Sequence, residues 1–295
     1  MAKVIVTGGH GKLGRACVQD LVEHGYDVLV FDSTPAPRAD QHSVQIDLSD
    51  FGQTLDAFLG LDNHPGQADA VVHLAAIPAP GRQSDARTYQ NNTACSFNVF
   101  HAAKRAGINN IVFASSETVL GLPFDIPPPY VPVDEEYEPR PETSYSLGKV
   151  MDETLARHLC RQDPDLKMYG LRFSNVKEPA EYAAFSGFDS DARLRKWNLW
   201  SYIDARDGAQ AVRKALEHPG RGFEIFIIAN ADTVMTRPNA ELMAEVFPDV
   251  PLRRELGPNE TLLSIEKAQR VLGYKPRYDY KHPAAARAKA PAKKR

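Results

Sequence analysis

Short apolar runs recur along the chain at residues 4–6, 28–31, 70–74, 111–114, 168–173 and 223–228. Each is too short for a helix and rich in β-branched or aromatic residues, so each predicts a buried strand. Between the runs the pattern changes to helical spacing. Leu13, Cys17 and Leu21 fall on one face of a first helix, and Phe97, Phe100, His101 and Lys104 belong to a later one. Residues 145–161 and 207–217 also read as helices. Strands that are apolar throughout, alternating with helices, predict a parallel sheet covered on both faces, an α/β doubly wound architecture.

After Asn175 the pattern loosens. Residues 176–201 are polar, aromatic and irregular, which predicts a small lobe over the C-terminal edge of the sheet. The expected division is a sheet domain over 1–174 completed by 202–230, and a lobe built from 175–201 and 231–280. Apart from His282, residues 281–295 are Ala, Lys, Arg and Pro, so a disordered basic tail is expected there.

Composition narrows the class only a little. The chain has 295 residues, 43% hydrophobic and 25% charged, as an ordinary globular protein does. A formal charge of -3 gives no pull toward nucleic acid or membrane. Cys17, Cys95 and Cys160 are far apart and form no CxxC pair, which argues against a disulfide framework or zinc cluster. The nine histidines lack metal-ligand spacing. The first apolar stretch is too short for a signal peptide and no later run is long enough to span a bilayer, so a cytoplasmic protein is expected.

The first strand runs into Thr7-Gly8-Gly9-His10-Gly11-Lys12-Leu13-Gly14, which opens the first helix. Glycines there permit a tight turn, close approach of a pyrophosphate, and close packing of helix on strand. The helix N-terminus then offers unpaired N–H groups to an anion. A P-loop does not fit, because Lys12 is followed by Leu13 rather than Ser or Thr. Asp32 ends the second strand, where a carboxylate accepts hydrogen bonds from an adenosine ribose and repels a 2′-phosphate. The reading is a Rossmann-type dinucleotide site favouring NAD, with Ser33 and Arg38 keeping NADP open.

Tyr145 and Lys149 are four residues apart, on one helical face. A phenol ordinarily titrates near pH ~10. A neighbouring ammonium and a positively charged nicotinamide both stabilise phenolate, so Tyr145 can take the proton of a substrate alcohol. Such a pair is often only a surface contact. Behind a dinucleotide loop, and after a strand ending in Ser115-Ser116, the catalytic reading is favoured.

With these pieces in order, the sequence resembles the extended short-chain dehydrogenase/reductase family, also called the NAD-dependent epimerase/dehydratase family. The matching segments are TGGHGKLG (7–14), Asp32, Asp47-Leu48, His73-Leu74-Ala75-Ala76, Asn91-Asn92-Thr93, FASSETVLG (113–121), Tyr145 with Lys149, LRFSN (171–175), Tyr202-Ile203-Asp204 and a segment over 266–276. The resemblance implies catalysis by Ser116, Tyr145 and Lys149, with Asn92 completing the polar network. It implies cofactor contacts from Gly8, Gly11, Lys12, Leu13, Gly14, Asp32, Asp47, Leu48, Leu74, Ala75, Ala76, Tyr145 and Lys149. Substrate contacts are expected from Ser116, Asn175 and Trp200, and a homodimer through the helices around 92–107 and 145–161.

One departure bears on substrate. Where nucleotide-sugar epimerases of this family carry Arg-Asp before the Tyr-Ile motif, this chain has Trp200-Ser201. A diphosphate needs cationic partners, and only Arg193, Arg195 and Lys196 remain nearby. The leading expectation is therefore an NAD(P)-dependent oxidoreductase acting on a sugar, sugar acid or related alcohol. The alternatives are a nucleotide-sugar 4-epimerase that retains NAD, and a non-catalytic NAD(P)-sensing regulator, which the Tyr–Lys pair disfavours.

Overall fold

The computed structural model describes residues 1–36, 42–61, 64–65 and 68–281. Arg38 and all but the first residue of the expected tail lie outside the described residues. In chain order the elements are β1 (Lys3–Thr7), α1 (Lys12–Glu23), β2 (Asp27–Asp32), β3 (Ser43–Gln45), α2 (Phe51–Leu59), β4 (Gly60–Leu61) and β5 (His64–Pro65). There follow β6 (Ala70–His73), α3 (Asp85–Arg105), β7 (Asn110–Ser116), α4 (Ser144–Gln162), β8 (Lys167–Phe173), β9 (Val176–Lys177) and β10 (Ile203–Asp204). The chain closes with α5 (Ala205–Glu217), β11 (Gly222–Ile228), α6 (Asn239–Val246) and α7 (Glu266–Leu272).

Seven strands form one parallel sheet in the order β11-β8-β7-β6-β1-β2-β3. The doubly wound expectation holds. Strand residues alternate between two cores, as side chains on a pleated strand must. Val4, Val6, Val28, Val30 and Val72 face α1 and α5. Ile5, Leu29, Phe31, Val71 and Phe113 face α2, α3 and α4. The sheet reverses direction of growth between β1 and β6, which opens a crevice at the strands' C-terminal ends. No helix among the described residues is long and apolar enough to cross a membrane.

The irregular stretch after Asn175 has a physical reason for its weak pattern. It folds largely as 3₁₀ turns over Pro179–Ser190 and Ala192–Asn198, with β9 and β10 pairing in parallel at its two ends. Its core is aromatic: Phe185 packs on Tyr182, Tyr202 and Tyr280 with ring centroids 5.0–5.3 Å apart. The C-terminal segment is tied down by Asp207, whose carboxylate accepts the backbone N–H groups of Arg277 and Tyr278.

Helix α4 is clamped to the sheet by buried charge. Arg172 of β8 donates from Nε and Nη2 to the two oxygens of Glu153, at 2.9 and 2.8 Å, and Ser115 of β7 donates to the same carboxylate at 2.6 Å. Both charged residues are at most 2% exposed. Such a pair adds little over an apolar contact while intact, but removing one partner strands the other in a medium of low polarity. Glu153→Gln is therefore expected to lower stability by about 3–5 kcal/mol in urea unfolding, and a loss below about 1 kcal/mol would show that α4 is held by its apolar face instead.

Candidate active site

A cleft of about 1380 Å³ opens at the C-terminal ends of β1, β2, β6, β7 and β8. Its floor at one end is the glycine turn. Gly8 has φ +69°, and a Cβ there would lie 2.7 Å from the backbone of Ala75. A Cβ on Gly14 would lie 2.1 Å from the Gly8 carbonyl oxygen, so the first turn of α1 sits directly on the loop. Gly11 differs. A Cβ there would meet only the Gly8 oxygen at 3.3 Å, and as N-cap it gives α1 no side-chain cap. The N-terminal N–H groups of α1 are thus bare toward the cleft, as an anion site requires.

Asp32 lies beside this turn with one oxygen accepting the His10 N–H at 3.0 Å and the other accepting the N–H and hydroxyl of Thr34. Farther along, Asp47 and Leu48 form the wall. Ser49 hydrogen bonds hold the Asp47 carboxyl below its ordinary range, and the Leu48 carbonyl is fixed by Asn98 at 2.9 Å. Leu74, Ala75 and Ala76 follow β6 on the opposite wall. A crevice with this uncapped helix end, small-residue turn and strand-end carboxylate fits a dinucleotide.

Ser116, Tyr145 and Lys149 share the other end of the cleft. Lys149 is 3% exposed and donates to the Ala114 carbonyl at 2.8 Å and to Asp152 at 3.3 Å. An ammonium has three donors, so one remains for the cleft. The two serines are in different situations. The Ser115 hydroxyl is committed to Glu153, whereas Ser116 Oγ accepts from the Thr118 N–H and hydroxyl and keeps its own proton free. Asn175 also borders this end.

Three expected residues are placed differently. Trp200 is fully buried, donates Nε1–H to the Ala192 carbonyl and stacks edge-on against Phe247, so it cannot stack on a ligand. Its neighbour Trp197 borders the cleft in its place. Asn92 is 2% exposed and brackets Ile77, accepting its N–H and donating to its carbonyl, so it shapes the loop after β6 without entering the cleft. The Lys12 side chain turns away to Glu181, at 2.6 Å, and to the Val176 carbonyl. With the Arg15–Glu178 pair it ties the glycine turn to the lobe, leaving the Lys12 backbone for the cleft.

One cleft residue carried no sequence signal beyond its place after Ser116. Burial pushes the Glu117 carboxyl up to about 7, against donors from Ser174 and Asn198 and the Arg195 charge. A group whose pKa is raised in the folded protein stabilises it fully below its unfolded value of 4.5 and loses that contribution as pH rises through about 7. Glu117→Gln should remove about 3 kcal/mol of this pH dependence, read as a flatter plot of unfolding free energy against pH. Asp207, raised to about 7 chiefly by burial, leaves a residual slope. An unchanged slope would mean that Glu117 is not the group titrating.

The profile of the NAD dependent epimerase/dehydratase family matches residues 4–229. An L-arabinose 1-dehydrogenase (NAD(P)(+)) of Haloferax volcanii is 28% identical over 288 residues, covering 94% of this chain and 97% of that protein. A UDP-glucose 4-epimerase of Erwinia amylovora is 30% identical over 186 residues, covering 58% of this chain and about half, 52%, of that protein. Among solved structures, a UDP-galactose 4-epimerase superposes with a TM-score of 0.69 at 25% identity, covering 96% of this chain and 97% of that one. With the family match spanning most of the sheet, the glycine turn and the Tyr145–Lys149 helix, the chain belongs to the NAD dependent epimerase/dehydratase family.

Proposed function

We propose that this protein is an NAD-dependent dehydrogenase of a free sugar, sugar acid or related small alcohol. The observation that carries the reading is the fate of the lobe's cations. Arg193 pairs with Glu245, Lys196 pairs with Asp125, and Arg195 is 5% exposed with Nη2 donating to the Ser201 carbonyl. None of the three borders the cleft, so the grip that a nucleotide-sugar diphosphate needs is not presented by the lobe. Similarity to an arabinose dehydrogenase over nearly the whole chain supports the same choice.

The bare N–H groups of α1 would hold the pyrophosphate, Asp32 the adenosine ribose, and Asp47 with Leu48 the adenine. The Asp32 charge favours NAD over NADP, since a 2′-phosphate would meet a carboxylate. The nicotinamide, when bound, supplies the hydride acceptor or donor. Tyr145 Oη takes the proton of the substrate hydroxyl during oxidation and returns it during reduction. The free Ser116 proton orients the substrate oxygen. Lys149, fixed by Ala114 and Asp152, presents its remaining N–H and its charge beside Tyr145. Residues 175–201 and 231–280 would enclose the substrate. The three cysteines, buried and free, suit a cytoplasmic location.

Asn175 on the cleft wall, with the likeness to UDP-sugar epimerases, supports a second reading as a 4-epimerase. A panel of free sugars and uronates beside UDP-hexoses separates the two. NADH accumulating from a free sugar supports the dehydrogenase; epimer formed from a UDP-hexose without net NADH supports the epimerase. In either case Tyr145→Phe should cost about 10²–10⁴-fold in kcat with little change in NAD affinity.

Exposed Phe97 on α3, and Leu147 and Met151 on α4, support a homodimer through these helices. Leu147→Glu should then shift the mass seen by light scattering from dimer to monomer, and a monomeric parent would refute the pairing.

A further inference from the structure

Behind Lys149 runs a buried chain of polar groups that the reaction as described does not use. It crosses Asp152 on α4, Ser96 on α3, His73 on β6 and Thr7 on β1, all at most 2% exposed. Counting donors fixes the direction of every link. Thr7 Oγ1 accepts the N–H groups of Leu74 and Ala75, at 3.2 and 3.3 Å, so its own proton points to His73 Nδ1 at 2.7 Å. His73 must then carry its proton on Nε2 and donate to Ser96 Oγ at 3.2 Å. The Ser96 hydroxyl is left to donate to Asp152, whose carboxyl is raised by burial while the Lys149 charge and the hydrogen bonds from Ser96 and Lys149 pull it back down. Three hydroxyl and imidazole groups, anchored one residue before Gly8, thus hold a negative charge 3.3 Å from the Lys149 ammonium.

We propose that Asp152 is a positioning residue of the reaction: it fixes the Lys149 ammonium and sets the net charge that Tyr145 faces. The inference rests on the reading of Tyr145 and Lys149 as the catalytic pair. The other titratable neighbours are silent. Burial and the Lys149 charge push His73 down to about 3, so it stays neutral, and burial pushes the Cys95 thiol up to about 12. Glu153, next to Asp152, is neutralised by Arg172. That leaves Asp152 as the charge that balances Lys149. Burial works against the ammonium, and Asp152 and Tyr145 more than offset it, so Lys149 titrates above the ordinary lysine value.

The signs follow. Asp152 stabilises the ammonium and disfavours a phenolate on Tyr145, so removing its charge should move both events to lower pH. In Asp152→Asn the acidic and alkaline limbs of the kcat/KM profile should both shift toward acid by about one unit or more, while Asp152→Glu should leave the profile in place. Without cofactor, the tyrosinate absorbance difference between each protein and its Tyr145→Phe derivative should shift in the same direction. A structural role alone would scale the profile or lower the melting temperature without moving the limbs, and that result overturns the proposal. If Asp152→Asn does not fold, Asp152→Ser removes the same charge and should shift both limbs in the same direction; unmoved limbs there refute the proposal equally. Full activity of Tyr145→Phe would instead sink the catalytic reading on which the proposal rests.

Discussion

The buried Glu153–Arg172 pair is the constraint on which the rest of the site depends. A carboxylate and a guanidinium removed from water must meet in a narrow geometry, and here that geometry joins helix α4 to β8 while Ser115 adds β7. Tyr145 and Lys149 lie on α4, and Ser116 ends β7. The spacing between Tyr145 and Ser116 is thereby set by a contact outside the cleft. Apolar packing alone tolerates small slides of a helix over a sheet; a bidentate ion pair does not.

Buried hydrogen bonds also link the two ends of the cleft. One end of the cleft is built from β1, β2 and the start of α1, the other from β7 and α4, and β6 lies between them. The chain through Thr7, His73 and Ser96 crosses that middle strand. The lobe is tied in separately, by Lys12 to Glu181 and by Arg15 to Glu178, so the turn that would cradle phosphates is coupled to the segment that would cover the substrate.

Most of the fold was legible because parallel strands buried on both faces read as unbroken apolar runs, and because the glycine turn combines three physical demands in eight residues. Tyr145 and Lys149 were legible from helical spacing. The lobe was not, since 3₁₀ turns carry no period that sequence pattern can detect over a short stretch. Trp200 shows why. Leu199 and Trp200 both adopt φ near +55°, at 53° and 56°, which turns the indole into the core and leaves Trp197 at the cleft. Nothing in an aromatic pair three residues apart announces that reversal. Phe97 and Phe100 share α3 as expected, with Phe100 buried and Phe97 exposed. Glu117 and Asp152 carry no sequence signal for a related reason: their significance lies in what surrounds them, and Ser96 and Asn198 come from distant parts of the chain.

The place of Arg172 in the chain has a consequence for how the protein is made. A nascent chain that has emerged through α3 carries the glycine turn, Asp32 and the wall after β6. Helix α4 emerges next, but Glu153 has no counter-charge until β8 follows it. The order of synthesis therefore leaves Glu153 without its partner until β8, the fifth strand of the sheet to be made after β1, has been added.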